Sequence, residues 1–197
     1  MIAGIVLAAG RSRRMGRPKA FLRLGGLTFL ERAVAALRDG GCGQVMVVAG
    51  PRGDAAADEI AEAANRLGAI ATRNPEAESP QVASLRAGLR ALGGDAEAAI
   101  VTPVDIPRAE AEVVRALIDA FAATRCPIAQ PFDGARHGHP VLFARAVWPE
   151  LMADPLPDGA RTVIHAHAAE RAEVRVSVLP VDVDTPDDFR RLLEAEG

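Results

Sequence analysis

The chain of 197 residues has the length of about one domain and is long enough to bury a large core. Its 49% hydrophobic and 25% charged residues exclude a collagen-like, disordered or multi-span membrane chain. The formal net charge is -3, and the chain has six Phe, one Trp and no Tyr. It therefore lacks the basic surplus and the aromatic rings with which proteins bind nucleic acids. We therefore expect no nucleic-acid partner.

Short apolar runs alternate with helical patterns along the first two thirds of the chain. Residues 2–7 form a β-branched-rich run that is typical of a strand buried on both faces of a parallel sheet. Strands are predicted at 2–7, 45–49, 69–72 and 98–101, and helices at 29–39, 54–67, 82–92 and 109–124. This alternation favours right-handed crossovers and hence an α/β fold with an open, mostly parallel sheet and helices on both faces.

The pattern changes at residue 127. Prolines and glycines break residues 127–140 into short extended pieces, which predicts a small hairpin or flap. Helices at 144–152 and 162–169, a strand at 174–179 and a last helix after Thr185 complete the predicted elements. No segment resembles an interdomain linker, so we expect a single domain over 1–197.

The cysteines and the apolar N-terminal run carry information about location. Cys42 and Cys126 lie far apart and in no Cys-x-x-Cys pair, which predicts neither a disulfide framework nor a zinc site. The apolar run 1–10 has no basic residues before it and is too short to span a bilayer. We therefore expect a cytoplasmic protein without a membrane partner.

A basic loop follows the first predicted strand and reads Gly10-Arg11-Ser12-Arg13-Arg14-Met15-Gly16-Arg17-Pro18-Lys19. Glycine lets the backbone approach a ligand closely, and Arg and Lys donate hydrogen bonds to phosphate oxygens. Because ligands bind outside the carboxyl ends of parallel strands, the loop predicts a polyphosphate clamp. It is neither a Walker loop nor a GxGxxG fingerprint, and a solvated basic loop is the alternative.

Asp105 is the first acidic residue after the predicted strand 98–101. A carboxylate at the carboxyl end of a strand is well placed to bind Mg²⁺, which prefers one or two carboxylates together with substrate phosphates. The alternative is a structural role, in which Asp105 caps the helix that begins near Pro107.

A second acidic segment runs from Asp182 to Phe189. Along an extended chain, Asp182 and Asp184 would share one face, with Val181 and Val183 on the other. Residues 185–188 read as a helix start with proline in the first turn, so the two aspartates there are interpreted as helix stabilisers.

The segment from Leu7-Ala8-Ala9-Gly10 to Lys19 resembles the signature loop of nucleotidyltransferases related to molybdenum cofactor cytidylyltransferase and guanylyltransferase. The resemblance implies that Lys19 and Arg14 are cationic catalytic residues, joined by Asp105. The Leu-Ala-Ala-Gly form, as opposed to Leu-Ala-Gly-Gly, goes with cytidine rather than guanosine. The residues implied in nucleotide binding are Leu7, Ala8, Ala9, Gly10, Arg11, Ser12, Lys19, Asn74 and Ser84.

The resemblance continues in family order as far as Phe189. Asp105 occupies the place of the family's Asp-x-Pro element, and the segment 182–188 resembles its Asp-x-Asp-Thr-Pro-Asp-Asp element. This implies Mg²⁺ binding by Asp105, by Asp184 and, next in order, by Asp182. The residues implied in acceptor binding are Gly138, His139 and Pro140 of a Gly-His-Pro turn, and Arg161 of a Gly-Ala-Arg element. Without the resemblance, His139 reads as an ordinary turn residue.

The loop 74–85 departs from the family pattern. The usual Gly-Met step is replaced by Ser79-Pro80-Gln81-Val82, between the nucleotide-binding candidates Asn74 and Ser84. This departure leaves the nucleotide preference open.

The implied reaction is transfer of a nucleoside monophosphate from a nucleoside triphosphate, with CTP favoured, to a phosphorylated acceptor. A phosphorylated pterin, molybdopterin, is the expected acceptor, and a molybdenum hydroxylase is a candidate partner. Residues 1–107 would bind the nucleotide and 127–169 the acceptor. The alternatives are a guanylyltransferase, a cytidylyltransferase for a sugar or polyol phosphate, and a non-catalytic accessory protein that binds the cofactor.

Overall fold

The computed structural model describes residues 1–10, 12, 15–76 and 80–195. The strands are β1 (Ile2–Leu7), β2 (Arg23–Leu24), β3 (Leu27–Thr28), β4 (Gln44–Ala49), β5 (Ile70–Arg73), β6 (Ala98–Pro103), β7 (Ile128–Phe132), β8 (Val141–Ala144) and β9 (Ala172–Arg175). The α-helices are α1 (Phe29–Asp39), α2 (Ala55–Arg66), α3 (Gln81–Ala91), α4 (Ala111–Thr124), α5 (Trp148–Met152), α6 (Ala160–Ala166) and α7 (Pro186–Glu194).

Seven strands form one sheet in the order β5-β4-β1-β6-β8-β7-β9, and β2 pairs with β3 in a separate short hairpin. Within the large sheet only β8 is antiparallel to its neighbours. The predicted α/β fold with a mostly parallel sheet is therefore confirmed. This order places β1, which precedes the basic loop, beside β6, which precedes Asp105.

Helices cover both faces of this sheet because β1 is apolar on both sides. On one face, Val6 packs in a core with residues of α1, α2 and α4. On the other face, Ile5 packs with residues of α3, α5 and α6. Since successive side chains of a strand point to opposite faces, two adjacent β1 residues contribute to the two cores.

Two helix starts are fixed by reciprocal side-chain caps. Thr28 and Glu31 form a capping box at α1, and Thr185 and Asp188 form one at α7. The prediction that residues 185–188 begin a helix is thus confirmed. Among the described residues, no helix is long and apolar enough to cross a bilayer.

Three predictions from the second half of the chain need correction. The predicted hairpin is present, but its strands β7 and β8 are built into the central sheet instead of forming a separate flap. The predicted strand 174–179 ends at Arg175. Val183 is buried whereas Val181 is 71% exposed, so the two valines do not share a face. The chain after β9 is irregular, and strand alternation does not apply to it.

Gly40 lets α1 approach α4 closely, and a methyl group at this position tests that packing. A Cβ on Gly40 would overlap Val114 of α4, while the right-handed backbone (φ -73°) accommodates alanine. Gly40→Ala should therefore destabilise the fold by about 1–3 kcal/mol. The Tm should fall by about 2–4 °C for each kcal/mol lost. Gly93→Ala is the matched control, because nothing lies within 4 Å of its added Cβ. Equal Tm values for the two variants in calorimetry would contradict this account.

Candidate active site

The candidate residues meet at one edge of the sheet. All strands of the large sheet except β8 run in the same direction, so the loops that follow them leave from the same edge. The basic loop follows β1, Asn74 follows β5, Asp105 follows β6, and the acidic segment lies beyond β9. His139 lies two residues before β8, which begins at this edge. Ligands of open α/β sheets bind at such an edge.

Lys19 lies between two carboxylates that are distant in sequence. Its Nζ is 2.9 Å from Asp105 Oδ2 and 2.6 Å from Asp184 Oδ1. Only 12% of the Lys19 side chain is exposed, against 26% for Asp105 and 47% for Asp184. The structure thus brings together the three charged side chains that the sequence marks as central.

Backbone hydrogen bonds hold the three segments in place. The Val104 N–H donates to the Leu7 carbonyl, and the Val183 N–H donates to the Asp105 carbonyl, both over 3.0 Å. Ser12 Oγ accepts from the Lys19 N–H at 3.0 Å. The predicted nucleotide ligand Ser12 therefore has a structural contact as well, since it fixes the backbone of Lys19.

Burial and neighbouring charges shift the pKa values of Lys19 and Asp182. Burial lowers the pKa of Lys19, but its hydrogen bonds to Asp184 and Asp105 outweigh this effect, and the pKa lies above the ordinary value of 10.5. Partial burial raises the pKa of Asp182, and the negative charges of Asp105 and Asp184 raise it further. Lys19 is therefore protonated at neutral pH, and Asp182 ionises less readily than an ordinary aspartate.

A cleft of about 1120 Å³, here called the polar cleft, opens beside Asp105 and Asp184. Its walls come from the loop before β8, from α3 and α6, and from the segment after β9. Three of the predicted acceptor residues, Gly138, His139 and Arg161, line it, whereas Pro140 is buried and does not. Asp182, an exposed residue, also lines the cleft.

Asn74 and Ser84, the predicted contacts to base and ribose, lie together but point to each other. The Asn74 side-chain amide donates to Ser84 Oγ at 3.0 Å, and its Oδ1 accepts from the Glu76 N–H at 3.1 Å. Both residues are buried, and neither lines the polar cleft. In this structure they connect the end of β5 to α3.

Besides Lys19, the predicted nucleotide-binding residues of this loop that the structure describes are Leu7, Ala8, Ala9, Gly10 and Ser12. Leu7 and Ala8 are buried, Ala9 is half-buried and Gly10 is exposed. Arg11 and Arg14 lie outside the described residues, so their predicted roles stay predictions.

Sequence reasoning missed several polar residues of the cleft. Gln130, His137, His165 and Arg171 all line it. The one available signal was Gln130, a polar residue within the otherwise apolar strand β7. Arg171 gave none, because a single arginine between a helix and a strand is ordinary.

Comparison with known proteins identifies the family. A family model described as a MobA-like NTP transferase domain matches residues 4–174. The chain belongs to this family. It is 32% identical over 202 residues to a Mycobacterium avium protein named "Probable molybdenum cofactor guanylyltransferase", covering 100% of this chain and 97% of that protein. The predicted relationship to molybdenum cofactor nucleotidyltransferases is thereby confirmed.

Solved structures agree with this assignment. The crystal structure of Rv0371c from Mycobacterium tuberculosis matches with a TM-score of 0.82 and 32% identity over 98% of both chains. A structure of the same protein in complex with manganese gives a TM-score of 0.81 and 29% identity over 98% of both chains. The Mycobacterium tuberculosis protein thus binds a divalent metal ion.

The residues of this chain fit a divalent ion whose remaining ligands come from the substrate. One oxygen each of Asp105 and Asp184 lies within 2.9 Å of the same ammonium nitrogen, so both carboxylates face one cation position. Among the described residues, no three His, Cys, Asp or Glu side chains form a ready metal site. The predicted trio with Asp182 is thus not a preformed cage, and phosphate and water would have to supply the remaining ligands.

His139 provides a test of the electrostatics of the cleft. Burial lowers the pKa of His139 below 6.5, although the Val101 carbonyl and the Asp105 charge act in the opposite direction. The unfolded chain therefore binds this proton more readily, and the stability that neutral His139 contributes is complete above pH 6.5 and lost as pH falls below it. His139→Gln should flatten the fall of the unfolding free energy as the pH drops below 6.5, measured by urea denaturation. His165→Gln, at an exposed residue of α6, is the control. If the unfolding free energy of His139→Gln and that of the wild type changed equally with pH, the lowered pKa of His139 would be contradicted.

Proposed function

We propose that this protein transfers a nucleoside monophosphate from a nucleoside triphosphate to the phosphate of molybdopterin and releases pyrophosphate. The observation that carries the proposal is the convergence of Lys19, Asp105 and Asp184 beside a basic loop and the polar cleft. The name of the Mycobacterium avium relative supports the choice of acceptor. Residues 1–107 would hold the nucleotide, and 127–169, extended by cleft residues between 171 and 184, would hold the acceptor.

In the proposed reaction an oxygen of the acceptor phosphate attacks the α-phosphorus of the nucleotide. A new P–O bond forms while the bond from the α-phosphorus to the α,β-bridging oxygen breaks, and that oxygen leaves with pyrophosphate. A phosphate monoester is largely ionised near pH 7, so the attack needs no general base. Catalysis then depends on alignment and on stabilising negative charge. A molybdenum hydroxylase is the recipient that we propose for the product.

Asp105 and Asp184 would hold the metal ion, for which we propose Mg²⁺. When bound, Mg²⁺ supplies neutralisation of phosphate charge and helps to orient the reactants. The carboxylates already share one cation position, which Lys19 Nζ contacts in this structure. Asp182 adds negative charge beside them and is the weaker ligand candidate, because partial burial and its acidic neighbours raise its pKa.

Cations of the chain would take the remaining charge. Lys19 is held protonated at the carboxyl edge and offers a point charge for phosphate oxygens. Arg161 is exposed at the cleft and close enough to act electrostatically on both His139 and Asp182. These observations support a role for Arg161 in binding the acceptor phosphate near the acidic pair. Arg14 and Arg11 are proposed to bind the triphosphate.

For the donor we propose CTP, on the basis of Ala9. This residue follows β1 at the position where the family resemblance separates cytidine from guanosine forms, and it is half-buried. A methyl group there leaves less room for a base than glycine does, which favours a pyrimidine. GTP is the second candidate, since the Mycobacterium avium relative is named a guanylyltransferase.

Asp105→Asn tests the catalytic assignment. Asparagine keeps the size of the side chain but removes the charge, so the variant should fold and should release pyrophosphate about 10²–10³-fold more slowly. The assay follows pyrophosphate from CTP, GTP and ATP with Mg²⁺ and molybdopterin. Asp187→Asn is the matched control, because Asp187 is exposed in α7 and pairs with Arg190.

Two outcomes of this assay would overturn the proposal. Near-wild-type turnover of Asp105→Asn would remove Asp105 from the mechanism. Binding of nucleotide without pyrophosphate release by the wild type, with any of the three nucleotides, would favour the non-catalytic accessory protein.

Ala9→Gly tests the base preference. Removing one methyl group from the base site should raise the ratio of kcat/KM for GTP to that for CTP by about 10-fold, the lower range for one carbon in a pocket. The value for CTP in the same variant is the internal control for general damage. A wild type that already prefers GTP, or a ratio that Ala9→Gly leaves unchanged, would decide against CTP selection by this residue.

A further inference from the structure

Arg171 is a nearly buried cation whose hydrogen-bonding capacity is incompletely used. Its side chain is 13% exposed and lines the polar cleft. Nη1 donates to Gln130 Oε1 over a long 3.4 Å, and Nη2 lies 3.7 Å from Glu173 Oε1, beyond hydrogen-bond range. Its Nε is buried and has no hydrogen-bond partner within the described part of the chain. A buried donor without an acceptor is costly, so Arg171 is suited to a ligand.

Gln130 is the polar neighbour of Arg171 in the same cleft. It is 6% exposed on β7, and its backbone is in register with Glu173 of β9. Its amide nitrogen donates to the Gly138 carbonyl at 3.4 Å, so both of its side-chain contacts are at the long limit. Gln130 therefore presents an acceptor and a donor that a ligand could engage better than the protein does.

This pair lies on the floor of the cleft, away from the acidic pair. Val101 of β6 pairs with Val141 of β8. In the pairing of β8 with β7, Leu142 lies opposite Ala129, so Val141 lies at the level of Gln130. Val101 lies two residues before the end of β6, a depth of about 7 Å at 3.3 Å per residue. Asp105 lies beyond that end. The cleft thus has a polar floor and a charged mouth, with apolar side chains of Leu85, Val141 and Phe143 among its walls.

The chemistry of the floor differs from that of the mouth. Arg171 has the Glu173 carboxylate nearby and the Gln130 oxygen in contact, which oppose a phosphate dianion. A donor beside an amide instead matches a cyclic amide, whose carbonyl would accept from the Arg171 guanidinium and whose N–H would donate to Gln130 Oε1. Apolar walls suit the faces of a flat ring.

We propose that Arg171 and Gln130 recognise the cyclic amide edge of the acceptor's ring, so that its phosphate is directed toward Arg161 and Asp105. The proposal rests on the proposed function and adds two specificity-determining residues to it. These residues act on binding of the acceptor and lie apart from the reacting atoms.

The test separates the ring from the phosphate. Pterin without a phosphate is titrated by its fluorescence, and inorganic phosphate is titrated separately against the wild type and Arg171→Met. Arg171→Met should bind pterin about 10-fold more weakly, the effect of losing one hydrogen bond to a charged donor, and bind phosphate as the wild type does. In turnover, KM for molybdopterin should rise about 10-fold while kcat and KM for the nucleotide stay unchanged.

Two further variants control the measurement. Arg175→Met removes the same charge from the end of β9, where Arg175 lies over the Phe132 ring and outside the cleft lining, and it should bind pterin normally. Arg171→Lys keeps the charge but lacks the planar guanidinium, and it should bind pterin as weakly as Arg171→Met. Arg171→Lys also decides the question if Arg171→Met does not fold.

The opposite results would overturn the proposal. Weakened phosphate binding with normal pterin binding would assign Arg171 to the phosphate, and unchanged binding of both would leave it a packing role. Failure of the proposed function is distinguishable, because it appears as absence of pyrophosphate release in the wild type, whereas the pterin titration needs no turnover.

Discussion

One ammonium group, Lys19 Nζ, connects three segments that are far apart in the chain. Its carboxylate partners are 86 and 165 residues away along the sequence, and both contacts are charge-assisted hydrogen bonds. Without a cation between them, Asp105 and Asp184 would face each other as like charges. Partly buried ion pairs add little net stability, because desolvation offsets the attraction. The importance of this cluster is therefore positional: Lys19 holds the two carboxylates so that both face one point.

The sheet makes this positioning possible. β1 and β6 are neighbours, so the basic loop and Asp105 leave from adjacent strands. The Val183 N–H then joins the acidic segment to the Asp105 carbonyl, while the buried Val183 side chain anchors that segment in the core. Phe189 packs edge-on against Phe29 of α1 and so holds α7, the helix that follows the acidic segment. Charge placement at the edge thus depends on apolar packing below it.

Much of this arrangement could be predicted from sequence, because it depends on local signals. The run 2–7 predicts its own strand, and the residues after strand 98–101 place Asp105 at the correct edge. The cap at Thr185 is visible as a threonine, a proline and two aspartates in order. Local patterns suffice wherever a motif and the strand or helix that positions it are contiguous.

The floor of the cleft could not be predicted in this way. Gln130 and Arg171 become neighbours only because β7 pairs with β9, a contact between segments about 40 residues apart that no local pattern specifies. The exposure of Val181 has a similar origin. The segment after Arg175 leaves the sheet, and strand alternation then has no partner strand to fix it.

The unsatisfied polar groups of the molecule are concentrated where a ligand could satisfy them. Among the described residues, three buried side-chain nitrogens lack a hydrogen-bond partner: His139 Nδ1, Arg171 Nε and His167 Nδ1. The first two line the polar cleft, and the third lies 3.5 Å from a Glu170 oxygen. Asp182, whose pKa is raised by partial burial and by its acidic neighbours, lines the same cleft. A fold optimised for stability alone would pair or remove such groups, so their concentration in one cleft supports a binding role there.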